Sequence, residues 1–159
     1  LVDLVVEADD LGAQHAPLMS PRTYRNVIQP RHKRLFASIK AYAPVKVFYH
    51  TCGAVRRLLP DLIDAGIDIL NPVQISAADM DLRALKREFG SDLVFWGGGV
   101  DTQHVLERGT PAEIREHVRE NIEALAPGGG FVFATVHDIQ ATVPPENVMA
   151  MWEAWRKYG

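Results

Sequence analysis

Cysteine and long apolar runs are the two features that this sequence has least of. A single cysteine, Cys52, cannot form an internal disulfide, which excludes a disulfide-stapled secreted scaffold and favours a reducing, cytoplasmic compartment. Charged residues interrupt every apolar stretch before it reaches about 18 residues, the length of a membrane-spanning helix. Blocks of lysine and arginine are missing too, and the formal net charge is -3. We therefore expect no membrane or nucleic-acid partner.

The remaining composition is that of a globular domain. With 159 residues, 47% hydrophobic and 23% charged, the chain can form one core that buries about two-thirds of its unfolded surface. This apolar fraction excludes a disordered chain. We predict a single domain over residues 1–159. Because the first residue is not methionine and residues 1–7 are already typical of a buried strand, we expect the sequence to be part of a longer chain.

Short apolar strands alternate with helical patterns along the sequence. The predicted strands cover residues 1–7, 45–49, 67–70, 93–96 and 131–135, and the predicted helices cover residues 21–42, 55–66, 80–89, 110–125 and 144–158. Pro30 should break or kink the first helix. Strands followed by helices indicate an α/β fold with a parallel sheet. Five such units are fewer than the eight of a (β/α)8 barrel, so the chain is predicted to form the C-terminal part of one.

Polar side chains follow every predicted strand at its carboxyl end. Because the carboxyl ends of parallel strands meet at one rim, where ligands bind in such folds, we predict an active site there. The candidate residues are Glu7, Asp9 and Asp10; His50 and Cys52; Asn71 and Gln74; Asp101 and Gln103; and His137 and Asp138.

His50 and Cys52 are the strongest metal-ligand candidates. Two residues apart in an extended segment, their side chains lie on the same side and could reach one Zn²⁺ ion. His137, after the last strand, is the best third ligand, and three protein ligands leave the open position that catalytic zinc requires. The alternative is that Cys52 is a small buried apolar residue and that the histidines form loop hydrogen bonds.

The remaining candidates have two interpretations each. Asp9, Asp10 and Glu7 could act as a general base or behind the metal ligands, or they could form a turn before Gly12. The glycines at 97–99 resemble a phosphate cradle but lack the Lys-Ser/Thr of a P-loop, so close backbone packing is favoured. His15, His32, His104 and His117 have no partner pattern.

Five motifs together resemble one family. They are DDLG (9–12), FYHTCG (48–53), DLIDAGIDILNPVQ (61–74), WGGGVDTQ (96–103) and GGGFVFATVHDIQATVPPENVMAM (128–151). In order and spacing they are similar to the C-terminal half of the uroporphyrinogen decarboxylase superfamily. The resemblance covers nearly the whole chain and implies a (β/α)8 barrel of which this sequence holds about the last five units, without the opening strands.

The resemblance implies one of two activities. One branch decarboxylates uroporphyrinogen III without a metal. The other branch uses zinc to move a methyl group between a corrinoid and a thiol-type acceptor, with the zinc held by a His-x-Cys pair and a later cysteine. His50 and Cys52 match the pair, and His137 stands where that cysteine is expected. The decarboxylases also place a histidine in this loop, so His137 alone does not separate the branches.

We expect the methyltransferase branch, because the rim is acidic and would repel a polycarboxylate porphyrinogen. Zinc on His50, Cys52 and His137 would then activate an acceptor thiol toward the methyl group of methylcobalamin. The expected partner is a corrinoid protein that carries the methyl group, or a small-molecule methyl donor or acceptor. Catalytic roles are expected for Asp9, Asp10, Asp101 and His137, and substrate or cofactor contacts for Glu7, Asn71, Gln74, Gln103 and Asp138. Uroporphyrinogen decarboxylation is the alternative. A second alternative is an inactive fragment that persists by self-association; a homodimer is expected in either case.

Overall fold

The computed structural model describes residues 2–159 and contains one five-stranded parallel sheet. Its strands are β1 (Leu4–Ala8), β2 (Lys46–His50), β3 (Ile69–Asn71), β4 (Val94–Trp96) and β5 (Phe131–Val132). They are hydrogen-bonded in chain order, each parallel to the next. The predicted α/β fold with five βα units is therefore confirmed. Leu1, which the prediction included in the first strand, lies outside the described residues.

Helical segments connect the strands. They are α1 (Pro21–Thr23), a π-helix (Tyr24–Ile28), α2 (Gln29–Tyr42), a 3₁₀ turn (Arg56–Leu58), α3 (Leu59–Ala65), α4 (Leu82–Phe89), α5 (Val105–Arg108), α6 (Pro111–Leu125) and α7 (Pro145–Tyr158). Within residues 2–159, none of these helices combines the length and the apolar character needed to cross a membrane.

Pro30 lies inside the first helical region and does not end it. Proline has no N–H to donate to the carbonyl four residues earlier, here that of Asn26. The turn just before Pro30 is the π-helix, which accommodates one extra residue, and α2 then continues to Tyr42. This wide turn changes which side chains share a face of the helix.

The last strand is shorter than the predicted residues 131–135. Gly97 and Gly98 follow β4 with positive φ angles of 107° and 78°, while the N–H groups of Gly97 and Gly99 still donate to the carbonyls of Val132 and Ala134. Beyond β5, Thr135 forms an isolated parallel bridge with Val100. The chain after β5 therefore reaches the rim as a loop.

The two faces of the sheet have different environments. Tyr49, Leu70 and Phe95 are in register across β2, β3 and β4, and each is at most 1% exposed beneath the helices. The alternate positions, such as His50 and Asn71, point to the opposite face, which is the interior of a closed barrel. This alternation places both side chains at the carboxyl rim.

Truncation of Leu70 tests the helix-facing core. Leu70→Ala removes a fully buried side chain in the middle of the sheet, and we expect the free energy of unfolding to fall by about 2–5 kcal/mol. Urea denaturation measures it. Leu35→Ala is the matched control, because Leu35 is 42% exposed on α2, and its effect should stay within about 0.5 kcal/mol. Equal losses for both variants would contradict this assignment of the core.

Candidate metal centre

The rim brings His50, Cys52 and His137 together. One ligand atom from each residue lies within 4.8 Å of the ligand atoms of the other two. Nε2 of His50 is 3.5 Å from Sγ of Cys52, and the rings of His50 and His137 meet edge to face with centroids 6.0 Å apart. His50 ends β2, whereas His137 follows β5, so residues distant in sequence converge through the sheet.

This donor set fits zinc. Zinc bonds of about 2.0–2.3 Å in a tetrahedron place ligand atoms about 3.5 Å apart. Nε2 of His50 and Sγ of Cys52 already have this separation. The His137 side chain is 50% exposed, so its imidazole has room for the small rotation that closes the triangle. One thiolate and two imidazoles are ordinary zinc ligands, and three protein ligands would leave a fourth position open.

Asn71 orients His50 for coordination. The Asn71 amide nitrogen donates to the Trp96 carbonyl over 2.9 Å, which turns its oxygen Oδ1 toward Nδ1 of His50 at 2.7 Å. Because that oxygen can only accept, Nδ1 carries the proton and Nε2 presents its lone pair toward Cys52. A carbonyl behind a histidine ligand fixes the tautomer that a metal needs.

The Cys52 thiol is held in its protonated form by its surroundings. Burial, followed by the charge of Asp10 and its hydrogen bonding, raises the pKa of Cys52 to about 11. Asp10 Oδ1 also accepts the Cys52 N–H over 2.9 Å. At neutral pH the thiolate therefore forms only when a cation such as zinc compensates for the desolvation and the carboxylate.

The loop that carries the Cys52 thiol, residues 51–55 and called the thiol loop below, packs closely against the loop after β1. A Cβ atom on Gly12 would lie 2.5 Å from the Cys52 carbonyl oxygen, so only glycine allows this close approach. The N–H of Leu11 donates to the Thr51 hydroxyl oxygen over 3.0 Å, in a buried position. Gln74 Oε1 accepts the N–H of Gly53 over 2.7 Å. The structure thus places Gln74 behind the thiol loop as a support.

The acidic candidates at β1 point in different directions. Asp10 contacts the Cys52 backbone, as described above, whereas the Asp9 carboxylate bonds Nε2 of His32 over 3.0 Å. Glu7 is in register with Tyr49, so it lies on the helix-facing side of the sheet and away from His50. Of the three carboxylates, Asp10 is the one that touches the thiol loop.

Asp101 shapes the next loop of the rim. It is 7% exposed, and its carboxylate accepts the N–H groups of Gln103 and His104 over 2.8 and 3.2 Å. Nδ1 of His104 lies 2.9 Å from its second oxygen. Gln103 Oε1 accepts from the Ser76 hydroxyl over 3.0 Å. These bonds fix the loop between β4 and α5.

An open cavity of about 440 Å³ separates that loop from the segment after β5. Its lining includes Thr102, Gln103, His104, His137, Asp138 and Gln140. The Asp138 side chain is 87% exposed, and its backbone N–H donates to Nδ1 of His137 over 2.8 Å. A candidate metal ligand therefore borders a space of small-molecule size.

Two histidines have partners that their spacing did not reveal. Nε2 of His117 accepts the N–H of Asp101 over 3.3 Å and the amide of Asn121 over 3.0 Å, and burial lowers the pKa of His117. His32 is 5% exposed and bonds both Asp9 and Tyr24. The contacts with Asp101 and Asp9 join elements that only the fold brings together, so no local motif marks them.

The five parallel strands in chain order define the chain as part of a (β/α)8 barrel. The His50, Cys52 and His137 cluster at the carboxyl rim gives it a candidate metal centre. A methyltransferase structure from Methanosarcina mazei confirms the fold, with a TM-score of 0.75 at 24% identity over 98% of this chain and 42% of that chain. The uroporphyrinogen decarboxylase (URO-D) family model matches residues 2–158. The chain belongs to the uroporphyrinogen decarboxylase family.

Curated relatives from the same genus are named as methyltransferases. Methylcobamide:CoM methyltransferase MtaA of Methanosarcina barkeri is 28% identical over 160 residues, covering 98% of this chain and 42% of its own length. Methylated-thiol--coenzyme M methyltransferase of Methanosarcina mazei is 26% identical over 140 residues, covering 88% and 34%. The chain therefore spans less than half the length of these relatives, and the resemblance is to the methyltransferase branch of the family.

Replacing Asn71 tests the support behind His50. Asn71→Leu removes the oxygen that accepts from Nδ1, so we expect the affinity for Zn²⁺ to fall about 10- to 100-fold, the usual effect of losing a partner behind a ligand. Competition with a chromophoric chelator measures the affinity. Asn71→Asp keeps an acceptor and should retain most of the binding. Unchanged affinity in Asn71→Leu would contradict this role.

Replacing Asp10 tests the control of the thiol. The alkylation rate of metal-free Cys52 should rise with pH around a midpoint of about 11, and Asp10→Asn should lower that midpoint by removing the carboxylate charge. The pKa of Cys52 in the folded protein exceeds the ordinary value of 9.0. The contribution of this thiol to the free energy of unfolding is therefore complete below pH 9 and is lost as the pH rises toward 11.

Iodoacetamide modification followed by mass spectrometry reports on this thiol alone, because Cys52 is the single cysteine. The matched control is Asp92→Asn, at the amino end of β4 on the opposite edge of the sheet; it should leave the pH profile in place. A profile that Asp10→Asn does not shift would overturn the assigned cause.

Proposed function

We propose that this chain supplies the zinc centre of a methyltransferase that moves a methyl group between a corrinoid and a thiol-type acceptor. The observation that carries the proposal is the convergence of His50, Cys52 and His137 at the carboxyl rim. Ligand sites in (β/α)8 barrels lie at this rim. The names of the relatives from Methanosarcina, which refer to methylcobamide and coenzyme M, agree with this class of reaction.

A zinc ion held by these three residues would supply Lewis acidity that lowers the pKa of an acceptor thiol, which is the activation that methyl transfer to sulfur requires. The protein contributes orientation. Asn71 fixes the tautomer of His50, and Asp10 holds the backbone of Cys52. The metal charge and the Asp10 carboxylate act on Cys52 in opposite directions, which couples formation of its thiolate to metal binding.

The cavity beside His137 is the proposed substrate space. Asp101 holds the loop that forms one wall, and Gln103 and Asp138 are among the lining residues. A small thiol seated there would reach a metal on His137 without crossing the helix-facing core. The corrinoid, or a protein that carries it, would approach from the open rim.

Acidity of the rim distinguishes this proposal from porphyrinogen decarboxylation. The Asp9 and Asp138 side chains are 61% and 87% exposed. Exposed carboxylates at the mouth of a site raise the free energy of a polycarboxylate ligand through like-charge repulsion. Decarboxylation of uroporphyrinogen is therefore the second outcome that the functional assay must measure.

Loss of Cys52 tests the proposed function. Purified intact protein should bind one equivalent of zinc by elemental analysis and transfer methyl groups from methylcobalamin to a thiol. Cys52→Ala should remove the tight zinc binding and lower the transfer rate by at least about 100-fold, because it deletes a ligand. His15→Ala is the matched histidine control, since His15 is exposed and outside the cluster, and it should retain both properties.

Two results would contradict the proposal. One is a protein without stoichiometric zinc whose methyl transfer is the same in wild type and Cys52→Ala. The other is conversion of uroporphyrinogen to coproporphyrinogen that Cys52→Ala leaves unchanged, which would assign the chain to the decarboxylase branch.

A further inference from the structure

Tyr24, His32 and Asp9 form a hydrogen-bonded row from the helix layer to the rim. The Tyr24 hydroxyl lies 2.9 Å from Nδ1 of His32, and Nε2 of His32 lies 3.0 Å from the Asp9 carboxylate. Tyr24 is fully buried and His32 is 5% exposed, whereas the Asp9 side chain is 61% exposed. The row thus connects the protein interior to the acidic edge of the site, and the proposed reaction leaves it unexplained.

The hydrogen bonds in the row have a defined direction. A carboxylate only accepts, so Nε2 of His32 donates to Asp9, and a neutral imidazole then accepts at Nδ1. When the ring is neutral, the Tyr24 hydroxyl donates to this nitrogen. Burial, with the nearby charges of Asp61 and Asp9, raises the pKa of Tyr24, which keeps this donor protonated. The row therefore requires one tautomer of His32, with the proton on Nε2.

The π-helix makes this contact possible. Tyr24 and His32 are eight residues apart, and in a regular α-helix such residues differ in direction by about 80°, whereas residues seven apart nearly align. The one extra residue in the π-helical turn restores the alignment for a spacing of eight. The π-helical turn before Pro30 thus brings the Tyr24 hydroxyl within hydrogen-bonding distance of His32 Nδ1.

Asp9 connects the hydrogen-bonded row to the thiol loop. Its backbone N–H donates to the His50 carbonyl over 3.1 Å. The next two residues hold the facing loop, with Asp10 accepting the Cys52 N–H and Leu11 donating to Thr51. A change in the Asp9 side chain therefore acts on a segment whose contacts define where Cys52 sits.

We propose that Tyr24 and His32 are positioning residues that fix Asp9, and through it the segment that holds Cys52. The proposal concerns the same site. It rests on the proposed function only where it implies an effect on methyl transfer. The positioning itself is measurable in protein without metal and without substrate. Failure of the methyl-transfer assay therefore leaves this test intact.

The experiment compares the alkylation rate of Cys52 at one fixed pH in four variants of the metal-free intact protein. His32→Leu removes both hydrogen bonds, and we expect alkylation to accelerate about tenfold, the equilibrium effect of one hydrogen bond to a charged group. Tyr24→Phe keeps the ring and removes one neutral bond, so about threefold is expected. His32→Gln offers one donor and one acceptor and should return toward the wild-type rate.

Phe36→Leu is the matched control. The Phe36 ring packs against His32 with centroids 5.2 Å apart but has no place in the hydrogen-bonded row. This variant should lower stability in urea while leaving the alkylation rate near that of wild type. If Phe36→Leu accelerates alkylation as much as His32→Leu does, the effect comes from packing around His32 and not from its hydrogen bonds. That result would overturn the proposal.

Nitrogen-15 shifts of the His32 side chain supply a second readout that does not depend on any change in folding. The expected wild-type spectrum is that of a neutral ring protonated at Nε2, and Tyr24→Phe should shift the Nδ1 resonance by removing its donor. An Nδ1-protonated ring in wild type, or alkylation rates that are equal in all four variants and wild type, would overturn the proposal.

Discussion

Parallel strands end at a common edge, and the chemistry of this chain depends on that constraint. His50 and Cys52 leave β2 at this edge, and His137 arrives there from the loop after β5. Alternation within each strand then separates the two sides: Tyr49, Leu70 and Phe95 enter the helix-facing core, while His50 and Asn71 face the interior side. The same sheet thus supplies stability on one face and ligands on the other.

Support behind the three candidate ligands is uneven. His50 and Cys52 are fixed by hydrogen bonds from Asn71, Asp10 and Gln74, directly or through Gly53. The His137 side chain is half exposed; its Nδ1 accepts the N–H of Asp138, and its backbone carbonyl accepts from the Thr135 hydroxyl. The candidate ligand with the least packing around its side chain is therefore the one that borders the cavity.

Residue type and strand position predicted which side chains meet in this site, but they did not predict the hydrogen bonds around it. The His50, Cys52 and His137 cluster was predictable because strand ends must meet, whatever the details of the loops. The orientation of Glu7 was not, since it depends on the phase of the pleat in β1. His32 required the register shift of a π-helical turn, and Asp101 required a loop whose backbone amides turn back on its carboxylate. The short β5 was not predictable either, because the adjacent segment leaves β-strand geometry at Gly97 and Gly98, whose φ angles are positive.

X-ray absorption at the zinc edge of the intact protein tests the central claim most directly, because it counts the neighbours of the metal and identifies their elements. The account predicts one sulfur at about 2.3 Å, two imidazole nitrogens at about 2.0–2.1 Å and a fourth light atom that a thiol replaces with a second sulfur. A zinc ion surrounded by oxygen and nitrogen alone, with no sulfur neighbour before a thiol is added, would contradict it.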